Sequence, residues 1–367
     1  VLTKVGITNQ IIDAITASSE INLVGTFDSI SSDAKSSDIN AAVKYFKDVD
    51  GDILIAVGGG SVIDTVKAVK WCIDNHVQTI ENVLTDVIVV PYSKAKPFKT
   101  PHITLPTTAG TGSEVSQGAV IFNEQLNKKC TINHPYIASD IAILDPDLTM
   151  ALPPSVTAST GMDALTHAIE ALFSPNATNF SQALAKQAIE VINENLPLAV
   201  HEGTTNYNAR ANMLQASSMA IMAFFLVNGP YPVHNFAHAF GAKYRIPHGL
   251  ANAVLLPLTI KHMPTYYAKS IRSLATLLNI SHKDKTELEI IENVAEYISD
   301  LNKELGLPSN FNQFNIQSSE FEDIIIAVQT DPVAALYQMP LETIQNVVTE
   351  TICCLLYTSP SPRDVEE

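Results

Sequence analysis

Basic residues are scarce in this sequence. Its 367 residues carry 22 Lys and Arg against 38 Asp and Glu, a formal net charge of −16, and only 16% are charged. A nucleic-acid binder needs a basic face for the phosphate backbone, so the balance argues against that class. Cysteine is equally sparse: of four, Cys353 and Cys354 adjoin in the final segment, while Cys72 and Cys130 stand alone. That spacing fits neither a disulfide framework nor a thiolate metal site, and it suits a reducing compartment. No apolar run of about 18 residues reads as a membrane span, and no signal peptide is visible. The expected setting is therefore the cytoplasm, with no membrane partner. A hydrophobic content of 46% beside so little charge excludes a disordered chain. What is left is an acidic globular protein of roughly two domains, with small molecules as its natural ligands.

The first 150 residues alternate helical and strand-like segments. Helical spacing is predicted over 11–18, 39–47 and 63–72. Short apolar runs over 21–25, 102–105, 120–123 and 141–144 read as strands. Asp52–Val57 (D-I-L-I-A-V) is a continuous apolar run, the mark of a strand buried on both faces in a parallel sheet. The expectation is an α/β domain over 1–150 with a mostly parallel, Rossmann-like sheet. From Ser155 onward the periodicity is helical over 160–173, 180–195, 208–225, 265–278, 285–305 and 341–352. Breaks are expected at Pro197, Gly229-Pro230, Pro247, Pro264 and Pro308, so 151–352 reads as an all-α domain.

Two loops follow predicted strands and carry the residues that phosphates favour. Gly58-Gly59-Gly60-Ser61 joins the Asp52–Val57 run to a helix. Glycines there allow positive φ and close approach, and the helix start offers unpaired N–H groups and a positive dipole end. Asp64 is expected in the first turn of that helix, where an acid is also favoured by the dipole alone. The pattern is neither the G-x-G-x-x-G fingerprint nor a Walker loop. An ordinary tight turn explains it about as well. The second loop, Pro106-Thr107-Thr108-Ala109-Gly110-Thr111-Gly112-Ser113-Glu114, has more hydroxyls than a helix cap at Thr111 or Ser113 requires. Two such loops at strand ends support one another, since doubly wound sheets bind ligands there.

Asp163 and His167 are four apart in a helical segment, which sets carboxylate and imidazole on one face. His234 and His238 repeat that spacing, and His248 follows between Pro247 and Gly249. Any one of these histidines is more often a hydrogen-bonded core or surface residue. Together, one Asp and three His combine a hard oxygen with borderline nitrogens, suited to Fe(2+), Zn(2+) or another divalent ion. The lack of thiolate argues against structural zinc.

These motifs give the chain a resemblance to the iron-containing (group III) alcohol dehydrogenases, the family of lactaldehyde reductase and 1,3-propanediol dehydrogenase. It rests on G-G-G-S-V-I-D (58–64), P-T-T-A-G-T-G-S-E (106–114), D-P-D-L-T (145–149) with L-P-P (152–154), T-G-M-D-A-L-T-H-A-I-E-A (160–171), and H-N-F-A-H-A-F-G-A (234–242) with P-H-G-L-A-N-A (247–253). The resemblance implies the dehydroquinate synthase-like fold of that family. It implies a metal, Fe(2+) foremost and Zn(2+) as a substitute, on Asp163, His167, His234 and His248. It assigns His238 to proton relay near the nicotinamide of NAD or NADP. Gly59, Gly60 and Ser61 with Asp64 then meet the pyrophosphate, Thr107, Thr108, Thr111 and Ser113 form the second cofactor loop, and Lys129 faces a ribose. Phe224 or Phe225 lines the substrate pocket, with the choice open. The implied activity is hydride transfer between nicotinamide and a small alcohol or aldehyde, in a homo-oligomer of two or more chains.

The chain departs from the family pattern in places. Pro230 and Pro232, in N-G-P-Y-P-V-H (228–234), are expected to break the helix before His234 and reshape the pocket. A-L-Y-Q-M-P (335–340) replaces a T-N-P-R-P segment. The first strands, which discriminate NAD from NADP, are expected to be missing ahead of Val1. Residues 353–367 read as a non-native tail. Two other readings remain. A dehydroquinate-synthase-like lyase would gather basic residues around an anionic substrate, and the helical half has few. A truncated, non-catalytic remnant would bind metal without cofactor.

Overall fold

The computed structural model describes residues 6–352. Residue contacts divide the chain into two compact units, the first holding residues up to 172 with 177–228, the second 173–176 with 229 onward. The change from α/β to all-helical character falls inside the first unit.

In chain order the first unit contains α1 (Ile7–Thr16), α2 (Ser36–Asp48), β1 (Leu54–Gly58), α3 (Gly60–Asp74), β2 (Val87–Val89), β3 (His102–Pro106), β4 (Gly118–Asn123), β5 (Lys128–Asn133), β6 (Ile141–Ala142), α4 (Pro154–Phe173), α5 (Asn179–His201) and α6 (Tyr207–Val227). β1, β3 and β6 form one parallel sheet, in that order. β2 and β5 pair in parallel and β4 antiparallel to β5 in a second sheet. The second sheet packs on α2 and α3 through Ile39, Val43, Trp71, Ile121 and Ile132, all buried.

Two strand expectations need correction. Residues 21–25 form no strand, although Ile21 and Val24 are apolar; both side chains are exposed. Apolar content without a partner ladder leaves backbone groups to water, and no strand results. The Asp52–Val57 run is only half-buried at Leu54, Ile55 and Val57, and Ile53 is exposed. Among the described residues β1 has one partner strand, β3, so full burial on both faces does not develop.

The prolines also behave differently from expectation. Pro197 lies inside α5, which continues through it to His201. The helix is broken before His234 as expected, over 228–231 around Pro230, but Pro232 itself makes no break. It stands at the first position of the next helix, where its missing N–H costs nothing and its fixed φ fits. α6 is, by length and composition, apolar enough to cross a membrane, contrary to the sequence reading. In this unit most of that stretch is buried, as a core helix would be.

The second unit contains α7 (Pro232–Tyr244), α8 (His248–His262), α9 (Pro264–Tyr267), α10 (Ile271–Leu277), α11 (Glu287–Glu304), α12 (Phe321–Thr330) and α13 (Leu341–Ile352). The helix predicted over 265–278 is split into α9 and α10 by a short 3-10 turn. α8 packs against α7, α11 and α13. The core is aromatic in part: Phe240 meets Phe311 edge-on at 4.9 Å and Phe173 meets Tyr267 at 4.8 Å. The tail expected over 353–367 lies outside the described residues.

Candidate active site

Register brings the two loops of the first unit together. β1 and β3 are parallel with Gly58 opposite Pro106, so both loops leave the same sheet edge side by side. The Thr107 N–H donates to the Gly58 carbonyl at 3.0 Å. A Cβ on Gly59 would stand 3.2 Å from Thr108 Oγ1, and one on Gly60 2.9 Å from Thr111 Cγ2. Close approach, not positive φ, is therefore what Gly58–Gly60 supply. Positive φ occurs in the second loop, at Gly112 (56°), where a side chain would also meet Ile221 and Ser217 of α6. No helix follows Ser113, so the alternative of a capped helix start does not apply.

Asp64 sits in the second turn of α3, not the first as expected, because the helix starts at Gly60; it is beyond the strongest dipole effect. Its carboxylate has other partners. Ser113 Oγ donates to Asp64 Oδ1 at 2.5 Å and the Val120 N–H to Oδ2 at 3.0 Å. Beside them lies Lys67, wholly buried one turn along α3. Its ammonium donates to Ser113 Oγ (3.1 Å), Ser116 O (3.0 Å), Ser116 Oγ (2.8 Å) and Gly118 O (2.7 Å), with Asp64 Oδ1 at 3.7 Å. Desolvation lowers the Lys67 pKa to about 8, with Asp64 and Glu114 opposing the shift. Glu114 is buried and accepts from Ser218 Oγ at 2.6 Å; burial pushes its carboxyl above the usual range. The network ties the second loop to the helix that begins at the first.

Ser61 and Lys129 converge on a residue the sequence did not single out. Asp33 donates its N–H to Ser61 Oγ at 3.1 Å, and its carboxylate pairs with Lys129 at 3.3 Å. Ser61 keeps its own hydroxyl proton to donate.

Asp163 and His167 lie one turn apart on α4, both buried. The Phe224 ring meets the His167 imidazole edge-on at 4.8 Å, while Phe225 turns toward Gly118. Of the two phenylalanines, Phe224 is the one that packs on the predicted ligand.

The second unit gathers the remaining histidines. His234 and His238 are one turn apart on α7, and His248 opens α8. The His234 and His248 rings are 5.2 Å apart, and His238 stacks on His248 at 5.8 Å with 24° between planes. Asn252, one turn into α8, sets its amide nitrogen 3.2 Å from His234 Nε2 and 3.3 Å from His248 Nε2. His238 Nδ1 faces Asp331. Four participants thus went unnoticed in the sequence: Asp33, Lys67, Asn252 and Asp331. Lys67 and Asn252 follow recognised residues at helical spacing, i+3 and i+4, and that signal was available. Asp331 is 93 residues from His238 and carries none.

Comparison with known proteins identifies the family. The family model described as "Iron-containing alcohol dehydrogenase" matches residues 1–146, and "Fe-containing alcohol dehydrogenase family, C-terminal" matches 157–352. A probable alcohol dehydrogenase, EutG of Salmonella typhimurium, is 45% identical over 220 residues, 60% of this chain and 53% of that protein. The chain thus spans about half the length of that relative. Among solved structures, a 1,3-propanediol oxidoreductase aligns with a TM-score of 0.82 and 30% identity, over 89% of this chain and 84% of the other. The sulfoacetaldehyde reductase of Bifidobacterium kashiwanohense, solved in complex with NAD+, aligns with a TM-score of 0.80 and 26% identity, over 96% and 88%. Two family models that between them cover nearly all the described residues, matching the phosphate-type loops and the histidine-bearing helices alike, leave one conclusion: the chain belongs to the iron-containing alcohol dehydrogenase family.

Proposed function

We propose that this chain is a metal-dependent, NAD(P)-linked alcohol dehydrogenase or aldehyde reductase acting on small alcohols and aldehydes. The observation that carries the reading is the pair of adjacent loops at the ends of β1 and β3, packed through Gly59–Thr108 and Gly60–Thr111. Such a cradle admits the backbone of a pyrophosphate against the N-terminus of α3. Gly59, Gly60 and Ser61 take the phosphates. Thr107, Thr108 and Thr111 supply hydroxyls, Asp64 and Ser113 with Lys67 hold the loop, and Lys129 lies toward the ribose. The complex of a related reductase with NAD+ supports the choice of cofactor class.

Asp163, His167, His234 and His248 fit Fe(2+), with Zn(2+) as a substitute: one carboxylate, three imidazoles and no thiolate. When bound, the ion supplies Lewis acidity toward the substrate oxygen and the nicotinamide exchanges hydride with the carbinol carbon. The protein's own part is to seat both, to shape the pocket with Phe224, and to move the substrate proton through His238. The family's habit of self-association suggests a homo-oligomer.

The test is oxidation of NADH and NADPH by a panel of small aldehydes, with Fe(2+) and with Zn(2+). Turnover with metal and none without it is the expected result. Absence of turnover in metal-loaded protein refutes the activity. Unchanged metal content in Asp163→Ala and His248→Ala refutes the ligand set.

A further inference from the structure

A proline inside a helix removes one bond of the backbone ladder. α8 runs from His248 to His262 with Pro257 inside it. Pro257 has no N–H, so the carbonyl four residues earlier, that of Ala253, has no donor at the usual position. Ala253 is fully buried, away from bulk water. A side chain from another helix takes the place of the missing donor. Asn302, near the end of α11, donates its amide N–H to the Ala253 carbonyl at 2.6 Å. The two residues are 49 apart in sequence, and Asn302 is itself buried.

The asparagine is fixed from both directions. Its own backbone carbonyl accepts the Leu307 N–H at 2.8 Å, which closes the end of α11. α11 packs on α8, and Ile298 and Leu301 beside Asn302 are buried. Asn302 Oδ1 is buried with no hydrogen-bond partner among the described residues. A half-satisfied buried amide is a cost that a leucine of similar size would avoid. What the amide contributes in return is the bond to Ala253.

That bond falls beside the histidine cluster. Ala253 adjoins Asn252, whose amide nitrogen lies 3.2 Å from His234 Nε2 and 3.3 Å from His248 Nε2. His248 is the first residue of α8. Both α8 residues of the cluster therefore lie on the N-terminal side of the missing ladder bond. Prolines kink helices at this point, and a kink would swing the His248 end away from its place against α7.

We propose that Asn302 is a positioning residue for the metal centre: its amide replaces the donor that Pro257 lacks and so fixes the segment that presents His248 and Asn252. The inference rests on the reading of His248 as a ligand. Asn302 touches neither ion nor substrate; it acts through the backbone of α8, as residues behind a ligand commonly do.

Rescue separates this role from ordinary packing. Asn302→Leu removes the donor at nearly constant volume. Pro257→Ala restores an N–H four residues after Ala253, which makes the asparagine dispensable. In the intact protein, Asn302→Leu is expected to weaken Zn(2+) binding about 10-fold or more by chelator competition. Pro257→Ala should stay within about threefold of wild type, and the double variant should return to that same range. The Kd for NADH, seated at the loops of the first unit, should stay within about twofold in all three. A second readout needs no metal: hydrogen–deuterium exchange of the metal-free protein. Asn302→Leu should speed exchange over residues 249–253 and leave α13 unchanged, and Pro257→Ala should reverse the effect. If Asn302→Leu does not fold, the double variant must still fold and bind Zn(2+) as Pro257→Ala does. Wild-type Zn(2+) affinity in Asn302→Leu, or a double variant no better than Asn302→Leu, overturns the proposal. Unchanged metal content in His248→Ala overturns the ligand reading instead; unaltered exchange in Asn302→Leu then still refutes a role for Asn302 in fixing the start of α8.

Discussion

Replacing Lys67 with methionine tests the buried network under the cofactor loops. Methionine keeps the stem volume and removes the ammonium. Four acceptor contacts are lost at 2.7 to 3.1 Å, and the Asp64 carboxylate loses its nearest cation. Breaking a buried charged pair from one side costs about 3–5 kcal/mol, because the partners stay buried and lose their compensation. The cost should depend on pH in a defined sense. The Lys67 pKa is lowered to about 8 in the folded protein, from 10.5. Between those values the unfolded chain binds more protons than the native state, so wild-type stability gains from this group as pH rises through the window. The gain across the window is on the order of a few kcal/mol in total. Lys67→Met lacks that gain, so its deficit against wild type widens from pH 8 to pH 10. The assay is urea unfolding followed by Trp71 fluorescence at several pH values. Trp71 is the chain's only tryptophan and lies one turn from Lys67 on α3. A variant as stable as wild type, or a deficit independent of pH, would refute the buried-ammonium account.

Other perturbations probe the remaining parts. Gly60→Ala places a methyl 2.9 Å from Thr111 Cγ2, so the Thr111 side chain must shift from its place facing the first loop. Overpacking of this kind costs about 1–3 kcal/mol, so NADH affinity should fall roughly tenfold or more; an unchanged Kd by fluorescence titration counts against the two-loop seat. Asn252→Ala removes the amide lying between His234 and His248. Metal affinity should drop about 10- to 100-fold, as for other residues that orient ligands, measured by chelator competition. Undiminished affinity would make the contact incidental. His102→Gln addresses acid stability. His102 is fully buried, and desolvation, with help from Lys70 and Lys67, lowers its pKa to about 3. Below its unfolded pKa of 6.5 only the unfolded chain takes the proton, so stability is lost as pH falls from 6.5 toward 3. The variant should show a shallower loss across that window in urea midpoints; an identical slope assigns acid sensitivity to other groups.

What was legible in the sequence had local causes. The apolar run before Gly58-Gly59-Gly60 and the strand before Pro106 announced β1 and β3 because both strands are short and end in loops of distinctive composition. α4 was visible as a helical stretch, and both α4 and α7 were marked by metal-type residues at four-residue spacing. The second sheet was half hidden. β2 is three residues long with Val87 and Val89 exposed, and β5 begins Lys128-Lys129, so neither offers an apolar run. Its strands exist because β5 is paired on both sides, a cause that no window of sequence contains. The Asp331–His238 contact and the choice between Phe224 and Phe225 depend likewise on packing.

The structure also divides the hydroxyl-rich loops into parts with different duties. Sequence treated Ser61, Thr107, Thr108, Thr111 and Ser113 as equal candidates to touch a ligand. Ser113 is engaged on one side by Asp64 and on the other by Lys67. Thr107 is buried and joined to Gly58 through its backbone. Ser61 accepts from Asp33 and retains a proton to donate. Thr108 and Thr111 form the wall that faces the glycines. A polar network is a sound way to fix such a loop. Glycines must stay bare for a phosphate to approach, so apolar side chains are not available there to hold the backbone. Buried hydrogen bonds from Lys67 and Asp64 supply that rigidity from below, and fully satisfied networks of this kind specify one conformation. On this argument Ser113→Ala should loosen the loop through lost support from Lys67, whereas Thr108→Ala should leave it rigid and weaken only the contact surface.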